Sequence, residues 1–550
     1  MSLRTPIQAL AAALRNLLLL LAGAVLLQAC GQKAPQRAAC PAGKVCMSQG
    51  INAEPISLDP HMTTSTTEHR ILLDTFVGLT QPDPNGKPIP GMAERWETST
   101  DGKTWIFHLR EAQWSDGVPV TADDFVFAYQ RILKPETAAE YASLLYVIAG
   151  AQAVNEGKAP PETLGVRALG PRTLEIKLER PAAFLPELAL HQTMYPVPKH
   201  AVEKFGAAWA QPANYVSNGA YVLKSWRLGD RIVSVKNPRF WDADKVCVDE
   251  MSYYPSPDAI SAERRVQRGE LDVHWDMQSN RISHIREAMP GYARTHTWLG
   301  VAYLAFNSEI AAFRDKRVRL ALTMAIDRDF IANKLLRGGQ KPAYTFIPPG
   351  IANYSPIAPP AWAAWPLERR QAEARRLLAA AGYGPGRPLK VEIKHRNTAD
   401  PMLFMPAIQA DWKTIGVEAT LAQNEAQIAY AAYRSRDFEV ADAAWIADFD
   451  DAESFLYLQK SSTGAQNYGD YKNPAFDALL DRGANEPDAK VRAGMLADAE
   501  TMMLEDVAVA PIYFYINKNL VSPRVTGWTD NVNDYHLARY LCLKGADNQR

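Results

Sequence analysis

Little in this 550-residue chain announces chemistry, and each absence narrows what the protein can be. No basic block occurs, and 60 Lys and Arg against 61 Asp and Glu leave a formal charge of −1, which argues against nucleic acid as a partner. Beyond the first thirty residues there is no Gly-x-Ser-x-Gly elbow, phosphate-binding loop, His-Glu-x-x-His or dinucleotide fingerprint, so the common hydrolase, kinase, zinc-protease and dehydrogenase signatures are missing. The five cysteines include no Cys-x-x-Cys spacing, and neither a metal nor a cofactor is expected. The apolar run at 17–27 is too short for a spanning helix, which needs about 20 residues.

That run is nevertheless informative. Arg4 and Arg15 flank its approach and Leu27-Gln28-Ala29-Cys30 closes it, which is the layout of an export leader. The closing block resembles the bacterial lipoprotein signal, implying removal of residues 1–29 and lipid attachment at Cys30, with 30–46 as a polar, proline-containing tether reaching roughly 20 to 25 Å. Loss of Arg4 and Arg15 makes the body two charges more negative. In an exported chain the other four cysteines, Cys40, Cys46, Cys247 and Cys542, read as two disulfides. Three pairings are open, of which Cys40 with Cys46 and Cys247 with Cys542 is preferred.

The body, about 520 residues, exceeds the roughly 250 to 300 at which single cores stop growing, so two or three lobes are expected. Residues 105–110 alternate as a half-buried strand, and a helix should start at Thr121, where Asp124 completes a capping box and Pro135 follows the end. Residues 315–337 read as one long amphipathic helix stopped by Gly338-Gly339. Helices at 367–381 and 402–415, each followed by glycine, alternate with strands at 389–394, 417–421 and 438–445, giving an α/β lobe over 300–515.

Several blocks then carry a likeness: Glu54-Pro55-Ile56-Ser57-Leu58-Asp59-Pro60-His61, Pro90-Gly91-Met92-Ala93-Glu94-Arg95-Trp96, Trp114-Ser115-Asp116-Gly117, Asn218-Gly219-Ala220-Tyr221, Ala325-Ile326-Asp327-Arg328 and Trp445-Ile446-Ala447-Asp448. In this order, over about 48–545, they resemble the solute-binding receptors of peptide ABC importers. The resemblance implies a two-lobed, periplasmic-binding-protein-like α/β fold (a Venus flytrap) with an extra domain inserted in lobe I. It places lobe I at 47–66, 192–299 and 516–550, the extra domain at 67–191 and lobe II at 300–515. It implies a monomeric receptor for a peptide, serving membrane permease subunits with cytoplasmic ATPases and held at the membrane by the lipid on Cys30.

For the site, the likeness assigns Asp448 to the peptide's α-ammonium. It expects main-chain contacts from Trp445, Ile446 and Ala447 and, across the cleft, from Glu54, Pro55 and Ile56. Tyr141, Tyr303 and Asn397 fall where relatives line the cleft. The chain also departs from the pattern: Asp442 and Met402 replace an arginine and a histidine that grip the peptide carboxylate, and Gly300 and Ile446 replace a disulfide. Two other readings remain. One is a receptor for another solute, such as a murein peptide, haem, a metal chelate or an oligosaccharide; the other is an exported hydrolase using Asp448 and Glu453 from the acidic run Asp448, Asp450, Asp451 and Glu453.

Overall fold

The computed structural model describes residues 39–486 and 488–546, so the leader, Cys30 and most of the tether lie outside the described residues. A first unit, Met1–Pro41, is described only at 39–41, which carry no helix or strand; everything below concerns the second unit, Ala42–Arg550.

Its frame is an eleven-stranded sheet. In hydrogen-bonding order the strands are Val417–Asn424, Leu389–Arg396, Val440–Ile446, Ala293–Phe306, Val509–Val521, Val273–His274, Cys46–Ile51, Glu250–Pro255, Arg231–Lys236 and Tyr221–Arg227, with Lys341–Pro342 paired off this path. Two strands join the halves. Within Ala293–Phe306, residues 293–297 pair with 516–520, whereas 301–305 pair with 509–514 on one side and 301–306 with 440–445 on the other. Register is lost between Thr297 and Val301, where Trp298, Leu299 and Gly300 bulge opposite Tyr515. Val301 to Phe306 is buried at every residue, as a central strand covered on both faces requires.

The halves have largely distinct cores that meet at Phe449. One apolar cluster draws on 47–275 and 521–543 together with Phe449, taking in the antiparallel four-stranded sheet Ala93–Thr98, Thr104–Leu109, Thr173–Lys177 and Val166–Gly170. Two others draw on 299–513. Helix Ala122–Leu133 has the capping box, with Thr121 N–H donating to Asp124 Oδ2 at 2.8 Å. Gly382 and Gly416 take φ of +90° and +82° where helices Leu367–Ala380 and Ala399–Thr414 stop, conformations that cost glycine little.

The long helix expected over 315–337 is a correction. It is interrupted at Ile326, which is extended, and resumes as Arg328–Phe330 and one π turn, Ile331–Leu336. The cause is Arg328, a fully buried guanidinium that donates to the carbonyls of Thr323, Ala343 and Pro511 at 2.9, 3.0 and 2.8 Å. A continuous helix would point it elsewhere and leave a buried cation unsatisfied.

Cys247 and Cys542 are bonded to each other, 295 residues apart. The Cys247 bridge ties the C-terminal segment to the core that also holds Val246 and Val248. Replacing both cysteines with serine should lower unfolding stability by about 2 to 4 kcal/mol without changing ligand affinity; chemical denaturation under non-reducing conditions, beside a binding titration, checks both halves.

Candidate functional site

Strand Val440–Ile446 ends beside the bulge, and the chain is tied there by the Ala447 N–H donating to the Leu299 carbonyl at 2.8 Å. The next residue is Asp448. Its backbone N–H donates to Ser454 Oγ at 3.0 Å, and the Trp445 indole reaches the same hydroxyl at 3.4 Å, so the turn is fixed while the carboxylate stays free to point inward. It points into a cavity of about 420 Å³ whose wall includes Trp298 and Tyr515 from the two bridging strands.

The carboxylate has no hydrogen-bond partner among the described residues, although only 11 % of the side chain is exposed. His191 Nε2 comes nearest to Oδ1, at 3.9 Å, beyond hydrogen-bond reach. That ring is not a cation: its Nδ1 accepts from Thr193 N–H, and burial holds its pKa well below the usual histidine value. His69, stacked on it with centroids 5.6 Å apart, is pushed down to about 4 by burial. Tyr141 and Tyr535 close in, their phenols held protonated by burial and by the neighbouring Asp448 charge. Burial, with nothing opposing it, lifts the Asp448 carboxyl to about 7. This is a site short of one cation.

Of the residues expected there, Asp448, Trp445, Ile446, Ala447 and Tyr141 line the cavity, whereas Glu54, Pro55, Ile56, Tyr303 and Asn397 do not. The Glu54 carboxylate accepts from the Trp226 indole at 2.6 Å and from Gly229 N–H, and Ile56 is 64 % exposed. The opposite wall comes instead from Thr64 to Thr66, His69 and Arg70, just downstream. Tyr303 lies in the middle of its central strand and packs edge-on against Phe346 in the core. Asn397 is exposed past the end of Leu389–Arg396, with its N–H on the Asn424 carbonyl. The preceding residue, Arg396, does reach the cavity, gripping Asp442 through Nε and Nη2 at 2.8 and 3.0 Å.

The acidic run separates on folding. Asp451 pairs with Arg492, Glu453 pairs with both Arg180 and Arg492, and Asp450 faces Lys87, so three of the four carboxylates hold cations and only Asp448 holds none. His296, Asp534 and His536 gather within 4.8 Å, but Asp534 is already taken by the Arg70 guanidinium and the Asn519 amide, which leaves no vacancy for a cation.

With this geometry in hand, comparisons with known proteins converge. The family model for bacterial extracellular solute-binding proteins, family 5 Middle, matches residues 87–467. The periplasmic oligopeptide-binding protein OppA of Salmonella typhimurium is 37% identical over 537 residues, 96% of this chain and 98% of the relative. Haemophilus influenzae OppA in complex with RPPGFSPFR superposes at a TM-score of 0.87, at 33% identity, covering 91% of this chain and 99% of that one. The Escherichia coli murein tripeptide binding protein MppA gives 0.87 at 34% identity over 91% and 99%, but its unliganded open form gives 0.69 over 93% and 99%. The present structure is thus nearer in shape to the peptide-bound relative than to the unliganded open form.

The raised Asp448 carboxyl fixes a sign for stability. Between pH 3.8 and about 7 the folded protein holds a proton that the unfolded chain has released, so this group makes stability fall as pH rises through that window. Asp448→Asn should flatten the slope and make the ligand-free protein more stable at pH 8, by up to a few kcal/mol at about 1.4 kcal/mol per pKa unit. Thermal melts at pH 5 and pH 8 check it.

Proposed function

The chain belongs to the bacterial extracellular solute-binding proteins of family 5, and on that premise we propose that it is the extracytoplasmic receptor of an ABC importer, capturing peptides by their α-ammonium and delivering them to a permease. The observation that carries this is the buried carboxylate of Asp448, without a hydrogen-bond partner among the described residues, on the wall of the cavity. A peptide's amine is the one cation it offers whatever its side chains, and a charge-assisted bond made away from water is strong. Affinity without side-chain choice follows if the rest of the ligand lies along the Trp445 to Ala447 main chain, as an added strand does.

A murein peptide is the second solute supported, because MppA shares both fold and cover with this chain. Hydrolysis is disfavoured: Glu453, the second carboxylate such chemistry would need, is neutralised by two arginines, and its pKa is lowered, not raised. We further take residues 1–29 as a leader, Cys30 as the lipid-bearing residue and the lobes to close about 299 and 516, with the extra domain at 67–191 on the lobe I side. Mass spectrometry of the membrane-bound protein should find a diacylglyceryl group on Cys30, and Cys30→Ala should release the protein to the soluble fraction.

Binding is tested by removing the same interaction from each side. Asp448→Asn should weaken a free peptide by at least about 100-fold, and N-acetylation should cost the unmodified protein a similar factor. In Asp448→Asn the acetyl penalty should largely vanish, because the two changes delete one contact. Calorimetry on the four combinations checks this, and equal affinity for free and acetylated peptides in the unmodified protein would transfer the assignment to a solute without an amine.

A further inference from the structure

Resting on that reading, we infer that the site recognises its ligand by the amine alone and makes no demand on a carboxylate, so that C-terminally neutral amines are ligands as good as free-acid peptides. The ground is a charge inventory of the cavity wall. Its cationic side chains are three arginines; no lysine lines it, and burial keeps His69 and His191 neutral. Each arginine already faces a carboxylate of the protein. Arg70 is paired with Asp534. Arg396 is held fork to fork by Asp442, which is fully buried, and its Nη1 donates to the Tyr430 hydroxyl at 3.0 Å. Arg434 meets Glu140 at 3.3 Å.

Once those pairs are counted, Asp448 is the one charge on the wall left unmatched. A ligand ammonium neutralises it. A ligand carboxylate, by contrast, finds no spare positive charge: it must displace Asp534 or Asp442, stranding a buried carboxylate at high cost, or compete with the half-exposed Glu140 for Arg434. The same arithmetic explains why Asp442 is tolerated fully buried behind the cavity wall, since Arg396 on the neighbouring strand supplies the cation it needs.

The test uses the full-length body and alanine peptides of three to five residues, each prepared as free acid, as C-terminal amide and as N-acetyl peptide, titrated by calorimetry at pH 7.5. Free acid and amide should bind within about threefold of one another, while acetylation costs at least about 100-fold. Glu140 is half exposed, so Glu140→Gln should fold normally; by releasing Arg434 it should create a preference of about tenfold for the acid. Asp442→Asn should do the same by releasing Arg396, provided its melting curve shows it folded. A tenfold or greater acid preference in the unmodified protein overturns this inference and leaves the amine reading standing, as does an unchanged acid-to-amide ratio in Glu140→Gln. Indifference to acetylation, or no binding of any member, overturns both.

Discussion

A carboxylate held out of water with no cation beside it is an expensive thing to fold around, and most of this site is arranged to keep Asp448 in that state. The chain on either side of it is tied down through Ala447 and Ser454, so the side chain cannot swing out to solvent. The histidines that could have neutralised it are themselves buried and neutral, and the tyrosines around it are kept protonated. Stability is surrendered at the one point where binding energy is wanted, a common trade at functional sites. On the function we propose, a ligand's ammonium returns that cost, which makes the cleft weak when empty and tight when filled.

Closure itself rests on modest contacts. Arg180 reaches Glu453, Phe184 stacks on Phe449 with centroids 4.7 Å apart, Lys87 faces Asp450 and Glu140 meets Arg434, all joining the segment 67–191 to residues beyond 300. Lys87 and Glu140 are at least half exposed, and exposed pairs contribute about 0 to 1 kcal/mol each. Together they bias the lobes toward closing without locking them. The hinge we propose falls in the two bridging strands, where Gly300 sits against Ile446: a Cβ on Gly300 would come within 2.3 Å of the Ile446 side chain, so the bulge is packed as tightly as its sequence allows.

What the sequence disclosed was local, and what it withheld was long-range. The capping box at Thr121, the glycine stops at 382 and 416 and the strands after residue 389 each depend on a few adjacent residues, and each formed close to its expected place. The interrupted helix at Ile326 depends on carbonyls of Ala343 and Pro511, which no periodicity around 326 contains. The site divides the same way. Asp448 and its neighbours 445–447, which line the cavity, stand together in one four-residue block. Arg396, Trp298, Tyr515, Tyr535 and the helix Ala426–Arg434, which carries Tyr430 and Arg434 on one face, come from well-separated stretches, and nothing in the spacing between those stretches announces that they share a wall. Tyr303 illustrates the limit: in a strand buried on both faces, sequence alternation cannot say which face meets the cleft.

The central claim is that Asp448 in the empty site has no cation beside it, so that at pH 6 it holds a proton which it must lose to take an ammonium. Calorimetric titration of a free peptide at pH 6, repeated in buffers of different ionisation enthalpy, counts the protons exchanged on binding. With a carboxyl near 7 in the empty cavity, close to one proton should be released per peptide bound, and none in Asp448→Asn. Binding of the same peptide to the unmodified protein with no proton released would contradict the account, because Asp448 would then already be ionised, and paired, before the ligand arrives.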